Sequence, residues 1–157
     1  MSESLAGKKV LVMGLGRFGG GVAVAKWLVQ QEAVVTVNDA EPADKLEESI
    51  RHLDGLPITF KLGGHQLEDF LAADLLVINP AVDKQKSSVV QQALARGIPF
   101  TTEMNLFLER CRALTIGVTG SVGKSTTTTL IHEALKAALP PPTNVHLGGN
   151  IGKSLLP

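Results

Sequence analysis

The chain has 157 residues, 44% hydrophobic and 19% charged, with a mean hydropathy of +0.18, a composition expected of a globular protein long enough to bury a core. Disorder and collagen-like structure are excluded. Fifteen Lys and Arg balance 15 Asp and Glu, so a net charge of zero gives no general pull on nucleic acid or anionic lipid, and any bound anion must be held locally. The lone Cys111 excludes an internal disulfide. Residues 1–7 are neither Arg-rich nor followed by an apolar stretch long enough for a signal or membrane helix, so a cytoplasmic location is expected.

Residues 8–13 (KKVLVM) form an apolar run that enters a Gly-rich turn, and 22–30 (VAVAKWLVQ) continue in helical pattern with Trp27 among the apolar positions. Strand and helix then alternate. The pattern predicts a strand at 34–38, a charged helix at 44–53, a strand at 58–62, a short helix near 67–72 and a strand at 75–79. Ser87 or Ser88 is placed to cap a helix running to Arg96, Gly97 to end it, 98–101 to form a strand, and 103–110 a further helix. Such alternation implies an α/β fold, a mainly parallel sheet with helices on both faces.

A new cycle opens at 114–119 (LTIGVT), expected as a strand, followed by a helix that carries Leu130, Ile131, Ala134, Leu135 and Ala138 on one face and stops at Pro140. Residues 144–147 are expected as another strand. Two strands and one helix are too little for a separate core, so the reading is a first domain over 1–111 and the truncated start of a second over 112–157. His52, His65, His132 and His146 are scattered singly, and each reads as a surface or hydrogen-bonded histidine before it reads as a metal ligand.

Two loops carry the chemistry. Gly14, Leu15, Gly16, Arg17, Phe18 and Gly19 fit G-x-G-x-x-G between a strand and a helix, where backbone N–H groups and the helix dipole face an incoming phosphate. Asp39 ends the second strand about 20 residues on, where an acid binds a ribose or a base edge. Gly20 and Gly21 leave a second reading open, in which the glycines serve close packing of helix on sheet. The other loop, Gly117, Val118, Thr119, Gly120, Ser121, Val122, Gly123, Lys124, Ser125 and Thr126, lies in the context of a P-loop, although its glycine spacing departs from strict Walker A. Lys124 would neutralise the outer phosphates of a nucleotide, the Ser125 hydroxyl would help hold Mg²⁺, and the amides from Gly120 to Thr126 would wrap the phosphate oxygens.

With these motifs the chain resembles the Mur ligases, the ATP-dependent amide-forming enzymes of peptidoglycan synthesis, and among them the D-glutamate-adding branch. Residues 119–126 (TGSVGKST) are similar to the family's T-G-S/T-N-G-K-S/T loop, 14–19 to its N-terminal loop, and 148–152 (GGNIG) to the stretch that follows the P-loop helix. Val122 stands where the family has asparagine, Ala81 where it has glycine, and Phe18 where a hydroxyl residue is common. The resemblance implies that the first, Rossmann-like domain binds UDP-N-acetylmuramoyl-L-alanine by its UDP part, with Gly14, Gly16, Arg17, Phe18 and Gly19 at the diphosphate and Asp39 at the uracil end. Asn79, Pro80, Ala81 and Val82 would match the family's Ser-Pro-Gly-Val loop, Asn150 would lie near the muramoyl group, and Glu103 would start the acidic helix that leads to the second domain.

The implied reaction joins that substrate to D-glutamate with ATP and Mg²⁺, Lys124 and Ser125 acting on the phosphates, and the 157-residue piece is expected to be inactive alone. No nucleic-acid or membrane partner is expected. Three other readings compete: an NAD-binding oxidoreductase or regulatory module would use the first loop and leave the second unexplained, a P-loop ATPase or kinase would use only the second, and a diverged protein would bind nucleotide without turnover.

Overall fold

A computed structural model describes residues 4–16, 20–149 and 154–156. The chain divides into two compact units, the first running to Glu109 and including Leu156, the second running from Arg110 to Leu155. In the first, β1 (Lys9–Met13), α1 (Gly20–Gln30), β2 (Val34–Asp39), a 3₁₀ turn (Ala43–Lys45), α2 (Glu47–Arg51), β3 (Ile58–Leu62), α3 (Leu67–Leu71), β4 (Leu75–Ile78), α4 (Ser88–Ala95), β5 (Phe100–Thr101) and α5 (Glu103–Leu108) follow one another. All strand pairs are parallel, in the order β3-β2-β1-β4-β5.

The central strands are near-continuous apolar runs because a parallel sheet is covered on both faces. Val10 and Val12 of β1 and Val35 and Val37 of β2 pack with Val24, Ala25, Trp27 and Leu28 of α1. Leu11 and Met13, of opposite parity, join Leu76, Ile78, Phe70, Val90 and Ala93 on the other face under α3 and α4. Strand order reverses at β1 and β4, which leaves a crevice beyond the carboxyl ends of those strands, the place where α/β sheets hold ligands.

Local departures from the sequence reading have physical causes. The charged helix expected over 44–53 is split, because Leu46, 1% exposed, sits between the two turns at φ −115°, ψ 10°, where its side chain reaches the core. Ser87 stands at the N-cap of α4, but neither it nor Ser88 makes the expected side-chain cap. Thr102 does cap α5, its hydroxyl accepting from the Asn105 amide at 3.2 Å. In the second unit, α6 (Lys124–Ala138) forms as expected. Residues 114–119 and 144–147 form no strand; a strand needs a hydrogen-bonded neighbour, and Leu114 is 94% exposed.

Helix α1 starts against the loop that precedes it. A Cβ on Gly21 would lie 2.5 Å from the Gly14 carbonyl oxygen and 2.6 Å from Leu15 Cα, both backbone atoms, so this glycine serves close packing. Gly21→Ala must push α1 off the loop, which should destabilise the first unit by about 1–3 kcal/mol. Thermal melting reads this as a drop of at least about 4 °C for a unit of this size, and an unchanged melting temperature would contradict the packing role.

Candidate nucleotide sites

The first loop is held from below by β2. Gly14 takes φ +94°, and its N–H donates to the Asn38 carbonyl at 2.8 Å. A Cβ at Gly14 would also approach Asn79 Cβ to 3.0 Å, so glycine is required for both conformation and space. The Asp39 side chain then turns into the loop, its Oδ2 accepting from the Leu15 amide at 2.8 Å and the Gly16 amide at 3.1 Å. Its Oδ1 accepts from the Glu41 amide at 2.9 Å. Ser49 on α2, 3% exposed, donates its hydroxyl hydrogen to the Gly16 carbonyl at 2.8 Å.

Asp39 is 8% exposed, and both carboxylate oxygens accept from backbone amides, with acceptor capacity left on Oδ1, which takes a single bond. It shapes the loop. Sequence reasoning passed over Ser49, which has no motif around it, and Asn38, which reads as an ordinary strand-end residue.

Asn79, expected as a substrate-binding residue of the stretch similar to Ser-Pro-Gly-Val, lies at the crevice with Gly14, Gly21, Ile78, Pro80 and Glu103. Its N–H continues the sheet to the Met13 carbonyl at 3.0 Å, and its Oδ1 accepts from the Ala81 amide at 2.9 Å, forming a local turn. No hydrogen bond within the described chain uses its Nδ2, which remains a donor for a ligand oxygen. Arg17, Phe18, Gly19 and Asn150 lie outside the described residues.

The second loop leads into α6 with Gly123 as N-cap in the left-handed region, φ +80°, and no side chain caps the helix. The first-turn amides of a 15-residue helix therefore point outward with the positive end of its dipole. Lys124 folds back, its Nζ donating to the Gly120 carbonyl at 2.5 Å and the Ser121 carbonyl at 3.4 Å. Ser125 and Thr126 are exposed, and Val122 is 93% exposed at the tip. Uncapped amides, an adjacent ammonium group and a hydroxyl form a donor set chemically suited to a phosphate.

No helix of the described residues is long and apolar enough to cross a membrane. The family described as Mur ligase MurD-like, N-terminal domain, matches residues 8–102. A UDP-N-acetylmuramoylalanine--D-glutamate ligase of Roseiflexus sp. (strain RS-1) is 44% identical over 152 residues, 97% of this chain and 32% of the relative. The protein of the same name from Exiguobacterium sibiricum is 42% identical over 151 residues, 96% of this chain and 32% of its own length. Among solved structures, a UDP-N-acetylmuramate-alanine ligase from Thermotoga maritima is 27% identical, with 82% of this chain and 29% of that one covered at a TM-score of 0.49. The chain thus spans about a third of the length of the curated relatives it matches. With more than half of its residues inside the matched stretch, the chain belongs to the Mur ligase MurD-like N-terminal domain family.

Proposed function

We propose that these residues are the N-terminal part of a cytoplasmic, ATP-dependent ligase that adds D-glutamate to UDP-N-acetylmuramoyl-L-alanine. Residues 1–111 form the domain that binds the UDP-substrate, and 112–157 contribute the P-loop of the ATP-binding domain. The observation that carries the reading is the Gly14–Asp39 arrangement at the strand-order reversal, inside the stretch shared with relatives named for that reaction. The diphosphate lies against the turn of Gly14 and Gly16, whose own amides are engaged within the chain, and is received by Arg17, Phe18 and Gly19, with Asn79 Nδ2 as a side-chain donor and Asn150 toward the muramoyl group. Asp39 faces the uracil end of the substrate, and its carboxylate also shapes the loop through the Leu15 and Gly16 amides.

In the reaction the substrate carboxylate oxygen attacks the γ-phosphorus of ATP. The bond to the bridging oxygen breaks, and an acyl phosphate and ADP result. The amine of D-glutamate then attacks the acyl carbon, loses a proton and displaces inorganic phosphate, leaving the amide. Phosphoryl transfer needs positioning and charge neutralisation more than covalent help. Lys124 leaves the Gly120 and Ser121 carbonyls to meet the outer phosphate oxygens, and the amides of Gly120, Ser121, Val122, Gly123, Lys124, Ser125 and Thr126 hold the rest of the triphosphate. Mg²⁺, with the Ser125 hydroxyl as one ligand, supplies further neutralisation of phosphate charge when bound.

Calorimetry tests the first site. UDP should bind the chain, and Asp39→Ala should weaken it by at least about tenfold, because three amides lose a charged acceptor. Tight NADH binding with no uridine-nucleotide binding would favour the oxidoreductase reading instead.

The 157-residue chain by itself should form no amide. One loop fixes the triphosphate at one end, whereas the acyl phosphate needs further groups to bring the amine to it and exclude water. ADP release is the readout, with ATP, Mg²⁺, D-glutamate and the UDP-substrate all present. Turnover that depends on D-glutamate and disappears in Lys124→Ala would overturn this division of labour.

A further inference from the structure

Asn38 is fully buried at the end of β2, paired in register with Met13, on the sheet face opposite Asp39. Its Nδ2 donates to the Lys61 carbonyl at 2.9 Å and the Gly64 carbonyl at 3.0 Å. Both amide hydrogens are thereby used, and the amide cannot be reversed without setting its oxygen against two carbonyl oxygens. Oδ1 must accept, and its partner is His65 Nδ1. That nitrogen therefore carries a hydrogen in the neutral ring as well as in the cation. The ring itself is fixed edge-on against the buried Phe70, with centroids 5.9 Å apart and planes at 89°.

The same short segment of backbone holds the first glycine loop. The Asn38 carbonyl accepts from Gly14, the Gly64 amide donates to the Asp39 carbonyl at 3.3 Å, and the Gly63 amide donates to the Glu41 carbonyl at 3.0 Å. Glu41 in turn donates to the carboxylate that shapes Leu15 and Gly16. The β3–α3 connection and the glycine loop thus grip β2 from opposite sides.

We infer that Asn38 and His65 form a positioning pair, which fixes the end of β2 and through it sets Gly14 and Asp39 for the diphosphate of the UDP-substrate. Neither residue touches the ligand. The inference rests on the reading of the first loop as the UDP site, and nothing in the family assignment gives these two residues a role.

The test uses the ¹⁵N-labelled 157-residue chain with UDP as the probe. His65→Phe keeps a ring on Phe70 and removes the Nδ1 hydrogen, whereas His65→Asn restores a donor at nearly the same place. His65→Phe should weaken UDP about tenfold and shift the Gly14, Leu15 and Gly16 amide resonances while leaving those of Gly120 and Lys124 in place. His65→Asn should return affinity to within about twofold of the parent, as restoring one donor would. The unmodified chain should show the Nδ1–H tautomer at His65, a measurement that needs no variant.

Unchanged UDP affinity and loop resonances in His65→Phe, with only a lower melting temperature, would reduce the pair to a structural contact and overturn the inference. So would an Nε2–H tautomer at His65. If the parent chain binds no UDP, the reading of the loop has failed, and the Gly14–Gly16 resonances alone decide whether the pair acts on the loop.

Discussion

A buried carboxylate that takes the amides of Leu15, Gly16 and Glu41 is the interaction on which the ligand edge of this sheet depends. Charge-assisted bonds of this kind contribute about 1.5–3 kcal/mol each, and leaving the same amides buried without a partner costs a comparable amount. The turn after β1 is therefore shaped before any nucleotide arrives. Asp39 acts as an anion built into the chain, and Ser49 completes the arrangement by satisfying the Gly16 carbonyl. Gly21 lets α1 come down against the turn, so the start of that helix and the crevice beside Asn79 are set together.

The two units differ in how their apolar residues are used. In the first, strands of alternating parity feed separate clusters on the two sheet faces, and each helix covers part of one. In the second, α6 buries none of its side chains, with Leu130 66% exposed. The loop before α6 rests on local features: Gly123 in the left-handed region, a helix start with no side-chain cap, and Lys124 on the carbonyls of its own loop. The first site is built by long-range contacts between β1, β2 and the β3–α3 connection, the second by residues adjacent in sequence.

That difference also decides how much could be read from the sequence. Runs such as Lys9–Met13 and Leu75–Ile78 announce strands buried on both faces, and the glycine loop and the P-loop announce themselves by spacing. The direction of the Asp39 side chain is not legible, because an acid at the end of a second strand can serve a ligand or its own loop, and only distance separates the two. Asn38 and His65, 27 residues apart, carry no shared motif; their pairing exists only once β3 lies beside β2. Residues 114–119 show the opposite failure: a β-type run looks the same whether or not a neighbouring strand is present to pair with it.

On the proposed reading, one chain carries two nucleotide sites with separate duties, the uridine diphosphate on the β1–α1 loop and ATP on the loop before α6. A crystal structure of the chain grown with UDP-N-acetylmuramoyl-L-alanine tests it most directly. Diphosphate density is expected against the Gly14–Gly16 turn and Asn79, with the Asp39 carboxylate still on the Leu15 and Gly16 amides. Diphosphate bound instead at Gly120–Thr126, or Asp39 released from the loop to take the ligand itself, would contradict it.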